Sequence, residues 1–516
     1  MRLADYFDAA ASRHPTRTAF VDGDTRIDFA TAQRFVHATA SALTAEPGLL
    51  AGSHIAVYAP NDYRVPLLQV AINAAGMAWV AVHTRNAVET NITVLKYADV
   101  GMVLFHSAYE AIVPQLKAGL PSSCRFLCID RASPHGESLP DRIAPYDMPF
   151  RGGPGSPDST ALLQPTGGTT GPSKAAVHTN RTVEIGIVST FVNLNMDSDT
   201  RVLAVAPLTH AACYVTLASA VRGGMTVVLP AFDVEAVLAA IERERITHLF
   251  IPPTILYALL GDPRTAGADL SSLRAVLVGG APVAPEKMRA ALQRLGPVIY
   301  EVFAQSECLS CLIKRPADYI RPDGSLDEDV LRSAGQASPF ARVEIMDEHG
   351  NLVGPGVKGE IVVRSTSVMQ GYYKNPEQTT QVSAFGWHHT TDVGVRDERG
   401  FITILDRMKD MIVSGGFNLF PSEIEAVINA HPAVMDCAVI GVPDEKWGEA
   451  AKAVVQLKAG CTLSEGDVTA LCKEALGGLK TPKSVEFWTD LPRSAVGKVL
   501  KRDIRARFWE GHWRAV

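Results

Sequence analysis

From His54 onward, short apolar runs alternate with segments of helical period, and this limits the fold more than any other feature. His54 to Pro60 is an apolar run of strand length, Asp62 to Gly76 has the spacing of a helix, and Met77 to Val82 is strand-like again. The alternation continues through Gly101 to Phe105, Arg201 to Ala206, Met225 to Leu229, Thr247 to Ile251 and Ala275 to Val278. Short apolar runs separated by helical patterns indicate buried parallel strands with helices packed on them. An α/β architecture of parallel-sheet subdomains is therefore expected.

Around Ala341 to Tyr373 the pattern changes. Val343 to Met346, Glu360 to Val363 and Phe401 to Ile404 are strands separated by turns such as Glu348-His349-Gly350, which predicts antiparallel structure closing as a small β-barrel. After Asp406 to Asp410 it changes again. Pro421 to Ala430 reads as a helix, Ala433 to Val442 and Ala450 to Leu457 as a strand pair, and Val468 to Leu476 as a helix. At 516 residues the chain exceeds what one core organises. The expected division is a large N-terminal domain over residues 1–408 and a separate α+β domain over 409–516.

Formal charge is 49 − 55 = −6, so nothing points to nucleic acid, and attraction of anionic substrates would depend on local Lys and Arg. The eight cysteines are irregularly spaced and read as reduced thiols, Cys308 and Cys311 included. No run reaches the roughly 18 apolar residues of a membrane span, and Met1 to Pro15 lacks an apolar core, so a cytoplasmic protein is expected. The residues leave a homodimer open.

One segment carries recognisable chemistry. Thr166-Gly167-Gly168-Thr169-Thr170-Gly171-Pro172-Ser173-Lys174 follows the strand-like stretch Thr160 to Gln164. Its glycines allow close backbone approach to an anion, the threonines add hydroxyl donors, and Lys174 adds charge. It is not a Walker A loop, which needs Lys directly after the last glycine. Further along come Gly279-Gly280-Ala281-Pro282, Phe303-Ala304-Gln305-Ser306-Glu307, Thr390-Thr391-Asp392, Asp406-Arg407, and Leu491 to Arg502 with Lys498. Taken singly each is weak. Asp392 and Arg407 alone would read as a surface ion pair, and Lys498 as one solvated lysine among many.

In this order and spacing, over nearly the whole chain, the motifs resemble the adenylate-forming superfamily: acyl-CoA synthetases, carrier-loading adenylation domains and firefly luciferase. The resemblance implies that ATP and a carboxylic acid give an acyl-adenylate and pyrophosphate, after which the acyl group passes to a thiol, here CoA. It implies that Thr166 to Lys174 grip the β- and γ-phosphates, and that Phe303 lies against adenine beside the backbone of Gly280 and Ala281. Ser306 would stand near the α-phosphate and Glu307 would hold Mg²⁺. Asp392 would accept the ribose hydroxyls, Arg407 would contact ribose and phosphate, and Lys498 would be the catalytic lysine. The segment Pro207 to Tyr214 matches the pocket for the acid, with His210 bordering the carboxylate or gating the pocket; a plain core histidine is the alternative. Lys409 would be a hinge that brings Ser414, Gly415 and Gly416 to the acyl-adenylate for CoA transfer.

Departures are small. Phe303 replaces the usual Tyr, Ala304 and Ala175 the usual Gly, Ser173 a common Pro, and Thr391 a common Gly. Ala211, Ala212, Cys213 and Cys308 are small and uncharged, which favours an apolar fatty, alicyclic or aryl acid. A ligase that loads a carrier protein, and a luciferase-like or binding-only relative, are the alternatives.

Overall fold

The computed structural model describes residues 2–152, 155–166, 174–415, 417–444, 446–493 and 499–510. The chain packs as two compact units. The first takes in the chain up to Val343 together with Val363–His388, and the second takes in Glu344–Val362 and the chain from His389.

Two large mixed sheets build the first unit. One has nine strands, in the order Gln336–Ala337, Cys308–Lys314, Ile299–Gln305, Ala275–Gly279, His248–Ile251, Arg201–Ala204, Met225–Val228, Thr18–Asp22 and Thr25–Asp28. Its interior pairs are parallel, and antiparallel hairpins close both edges. The other has eight, in the order Gly371–Tyr372, Lys174–Thr179, Thr160–Thr166, Ala78–Val80, His54–Tyr58, Val100–Phe105, Arg125–Cys128 and Glu137–Ser138. The expected apolar runs thus occur as strands within one or two residues of their sequence bounds. They are apolar throughout because both faces are covered. Trp79 and Ala81 enter one core with Val183, Cys213 and Leu217, while Ala78, Val80 and Val82 enter another with Leu95 and Phe105. The helix Arg64–Ala74 is buried over nearly its whole length. Helix starts follow local chemistry: Asp28 Oδ1 accepts the Thr31 N–H at 2.7 Å, and Asp233 Oδ1 accepts that of Ala236 at 2.9 Å.

The second unit holds most of a four-stranded sheet, in the order Ala341–Met346, Lys358–Ser365, His388–Arg396 and Ile402–Arg407. The three strands expected there are present, but among the described residues the sheet runs as an open path and not as a closed barrel. A further sheet pairs Val434–Asp444 with Gly448–Leu457 over a long antiparallel register, and Ser484–Phe487 lies parallel to the latter. The helix Pro421–Asn429 packs on it, and Glu465–Leu476 begins with a capping box between Ser464 and Asp467. Residues from Lys409 onward share this unit with the four-stranded sheet. Asp406 Oδ2 accepts the Ser422 N–H at 2.8 Å and so ties that sheet to the helix that follows.

Candidate active site

In the first unit, five of the sequence-derived positions lie beyond the carboxyl ends of three strands in the nine-stranded sheet, where open α/β sheets bind ligands. Gly280 and Ala281 follow Ala275–Gly279, Ser306 and Glu307 follow Ile299–Gln305, and His210 lies beyond Arg201–Ala204. Gly279 pairs with Val302, so Gly280 stands beside Phe303. A Cβ on Gly279 would lie 2.6 Å from Val302 Cγ1, which makes that glycine a packing requirement. Gly280 has φ +90° with open space where a Cβ would be, so its backbone is left uncovered on that side. Phe303 is half-buried and Ala304 exposed.

Ser306 and Glu307 form the two-residue turn between Gln305 and Cys308, which are cross-strand partners. That turn is held from behind. The Ser306 carbonyl accepts from Nε2 of His178 at 2.7 Å. Burial lowers the pKa of His178 to about 4, and its Nδ1 has no partner among the described residues, so the ring is neutral with its proton on Nε2. The Glu307 carbonyl accepts the Met369 N–H at 2.7 Å.

The segment around Ser367–Tyr373 then stitches the two sheets together. Leu309 N–H donates to Ser367 O, Gln370 N–H donates to Val177 O, and Gly371 and Tyr372 pair with Val177 and Ala176. This route carries Tyr372 to the turn, where its hydroxyl donates to Glu307 Oε1 at 2.7 Å. Burial and then the neighbouring carboxylate push the Tyr372 pKa up, so the phenol keeps its proton. Lys174 Nζ lies over the same ring, 5.3 Å from its centre. Thr166 and Lys174 are themselves cross-strand partners, so the glycine-rich segment joins two antiparallel strands where a Walker A loop would lead into a helix. Gly167, Gly168, Thr169, Thr170, Gly171, Pro172 and Ser173 lie outside the described residues. Tyr372 and His178 were absent from the sequence-derived set. Both act through pairings remote in the chain, which no local pattern signals.

No group of three or more metal-ligating side chains occurs among the described residues. One half-exposed carboxylate, Glu307, with one oxygen held by Tyr372, suits a Mg²⁺ that completes its shell with phosphate oxygens and water.

His210 precedes the helix Ala212–Val221, and its Nδ1 lies 3.0 Å from Thr209 Oγ1. Burial, with His83 second, lowers its pKa to about 3. The two rings are 4.7 Å apart, and burial with Arg85 lowers His83 as well. Both imidazoles are neutral near pH 7. Cys308 and Cys311 are buried and are not joined in a disulfide.

In the second unit, Asp392 and Arg407 are cross-strand partners, with Arg407 Nε 3.3 Å from Asp392 Oδ1. Asp392 is buried and its backbone N–H donates to Thr390 Oγ1 at 3.1 Å. Thr391, standing where glycine is common, has φ +61°. That conformation costs an ordinary residue about 1–2 kcal/mol, and a β-branched side chain fits it worst. The strand tolerates it because the Thr391 N–H donates to Glu360 Oε1 at 2.8 Å and Glu360 also pairs with His389. Thr391→Gly should therefore raise the melting temperature slightly, contrary to the usual effect of a glycine in a strand. A drop of several degrees would show that the threonine side chain stabilises this turn.

Ser414 pairs with Phe417 where the antiparallel strands Ile412–Ser414 and Phe417–Leu419 meet, and Gly415 directly follows the first of them. Gly415 has φ +59°, and a Cβ there would lie 2.5 Å from Trp447 Cε3. Gly416 and Lys498 lie outside the described residues. Lys409 lies in the short turn Met408–Asp410, where its carbonyl accepts from Arg505 Nη1 at 3.3 Å.

Gly280, Phe303 and the Ser306–Glu307 turn thus gather at the carboxyl ends of neighbouring strands. The AMP-binding enzyme family model matches residues 7–373, and the model for the C-terminal domain of AMP-binding enzymes matches 423–498. The chain belongs to this family. It is 33% identical to a medium/long-chain-fatty-acid–CoA ligase of Mycobacterium tuberculosis, over 98% of this chain and 90% of that one. It is 35% identical to a feruloyl-CoA synthase of an Amycolatopsis species, over 96% and 97%. Among solved structures, an amide bond synthetase from Marinactinospora thermotolerans superposes with TM-score 0.89 at 30% identity, covering 98% of this chain and all of that one.

Proposed function

We propose that this chain is an AMP-forming acid–CoA ligase that activates a hydrophobic carboxylic acid as its acyl-adenylate and transfers the acyl group to CoA. The observation that carries the reading is the Glu307 turn, flanked by Phe303 and Gly280 and held by His178 and Tyr372. Its curated relatives are acid–CoA ligases and synthases matched over nearly their whole length.

The substrate carboxylate attacks the α-phosphorus in line and pyrophosphate leaves. The chain's work is positioning and charge stabilisation. Phe303 and the bare Gly280 backbone would hold the adenine, and Lys174 with the glycine-rich segment would hold the outgoing phosphates. Mg²⁺, held by Glu307, would neutralise phosphate charge when bound. Neutral His210 would border the carboxylate without repelling or protonating it. Lys498 would face the charge developing at the α-phosphate. Asp392 and Arg407 would bind the ribose hydroxyls, and residues from Lys409 onward would turn about that residue between the two half-reactions.

AMP release measured with a panel of acids, with and without CoA, tests this. CoA-dependent AMP and thioester are expected, whereas carrier-protein dependence or no turnover would reject it. Asp392→Ala should weaken ATP binding by about 1.5–3 kcal/mol, the scale of hydrogen bonds to a charged group. An unchanged KM for ATP and an unchanged rate would place the ribose elsewhere.

A further inference from the structure

The first unit encloses a cavity of about 20 Å³, lined in part by Gln69, Asn73, Trp79, Leu162, Cys213 and Tyr214. That is room for about one water-sized group. Most polar groups on its wall are committed to the protein. Gln69 Oε1 accepts from Cys213 Sγ at 2.6 Å, and its Nε2 donates to Leu208 O at 3.3 Å. Asn73 donates to Asn180 Oδ1 and accepts the Ala4 N–H. Two groups differ. The indole N–H of Trp79 and the hydroxyl of Tyr214 are shut off from solvent and have no hydrogen-bond partner among the described residues. Trp79 as a whole is only 6% exposed. Leaving a buried donor unpaired costs on the order of 1–3 kcal/mol, so this wall suits an acceptor that the chain does not supply.

The two donors are in line with the proposed carboxylate position. Trp79 lies in the strand Ala78–Val80, the Ala81 N–H still donates to Leu163 O at 3.1 Å beyond its end, and alternation continued along the chain carries Trp79, Ala81 and His83 to one side. Trp79 and Ala81 enter the same core as Cys213 and Leu217, which agrees with that alternation. His83 meets His210 ring to ring at 4.7 Å. Tyr214 lies one turn beyond His210, since the Cys213 N–H donates to His210 O at 3.0 Å. The strand segment and the start of the helix thus run side by side, with the histidine pair at one end and Trp79 and Tyr214 at the other. Four residues of extended chain span about 13 Å. Between the ends, that face carries only the methyl group of Ala81.

We propose that Trp79 and Tyr214 form the far end of the acid-binding pocket and recognise one oxygen there. The substrate class is then a compact carboxylic acid bearing a keto, hydroxyl or ether oxygen within about 13 Å of its carboxylate. This rests on the ligase reading, with the carboxylate on the His210 side. A keto oxygen has two lone pairs and accepts from both donors. A hydroxyl accepts from the indole and donates to the tyrosine, because indole only donates whereas a phenol does both. A deoxy acid would leave both donors buried and unpaired, the situation in which enzymes discriminate most sharply between close analogues.

The test uses pairs of acids that differ only in the distal oxygen: 3-(4-hydroxyphenyl)propanoic against 3-phenylpropanoic acid, and a cyclic keto acid against its deoxy form. Wild type, Trp79→Phe and Tyr214→Phe are compared by two readouts: kcat/KM for pyrophosphate release, and the rise in Tm on adding acid without ATP. Wild type should prefer the oxygenated member of at least one pair by about tenfold or more in kcat/KM, with the larger Tm rise. Each variant should lose about tenfold on that member and clearly less on its deoxy partner, so that the preference narrows towards unity. No preference in wild type by either readout, or equal losses on both members, would overturn the proposal and leave the cavity a site for structural water only. Failure of the ligase reading looks different: no acid would release pyrophosphate, while the Tm preference for the oxygenated member would persist.

Discussion

Lys498→Ala should lower acyl-adenylate formation by about a hundredfold to a thousandfold, the scale on which enzymes lose rate when one preorganised charge-stabilising donor is removed. The residues flanking this lysine show why its placement matters. Arg493 and Val499 bridge each other, and the Leu500 N–H donates to Pro492 O at 2.8 Å, so the two sides of the segment are tied together at its base. Arg493 is held by Asp436 at 2.7 Å. Immediately after, Lys501 pairs with the half-buried carboxylate of Glu425 at 2.8 Å, and Glu425 also accepts the Val439 N–H at 2.6 Å. These anchors belong to the fold and stay in place when Lys498 is shortened. The variant should therefore melt as wild type does. It should still form thioester from supplied acyl-adenylate, because the thiol then attacks the acyl carbonyl carbon and not the α-phosphorus, the centre at which Lys498 is proposed to act. ATP-dependent turnover within a few-fold of wild type would remove Lys498 from the mechanism. Parallel loss of both half-reactions would assign it a structural role.

The strands of the first unit were legible because burial on both faces makes each one an uninterrupted apolar run bounded by turn residues. Arg201–Ala204 and Ala275–Gly279 appear almost where the runs lie. Pairing was not legible. Three strands between Ala341 and Ile404 suggested a barrel, but closure depends on which edges meet, and alternation along a strand says nothing about that. The site divides in the same way. Glu307, Ser306 and Gly280 stand out by residue type within short motifs. Tyr372 and His178 do not, since their roles come from Gly371 pairing with Val177 and from a buried imidazole reaching Ser306 O. His83 and Trp79 looked like ordinary residues of one strand segment until the helix after His210 was laid beside them. At Thr391 the sequence showed an unusual residue for the motif, but only the backbone shows φ +61° and hence a strained position.

Lys409→Pro should separate the two half-reactions. The short turn Met408–Asp410 is fastened to the final helix, Lys501–Trp509, at two points: Arg505 Nη1 donates to Lys409 O at 3.3 Å, and Arg505 Nη2 pairs with Asp410 Oδ1 at 3.3 Å. A hinge at Lys409 must change its backbone dihedral angles between adenylation and thioester formation. Proline holds φ near about −65°, a value that suits a helical turn, and it removes the N–H, so the chain settles in one arrangement. If that is the arrangement in which Lys498 faces the α-phosphate, acyl-adenylate should accumulate at close to the normal rate. The turn at Gly415, which only glycine can make against Trp447, would then never reach the adenylate. CoA transfer should fall by about two orders of magnitude or more, the cost of losing the reacting geometry. Burst formation of pyrophosphate, without steady thioester production, is the expected signature. Normal thioester formation in a variant that melts like wild type would rule out a hinge at this residue. Equal loss of both steps would show that Lys409 holds the adenylating arrangement together instead of releasing it.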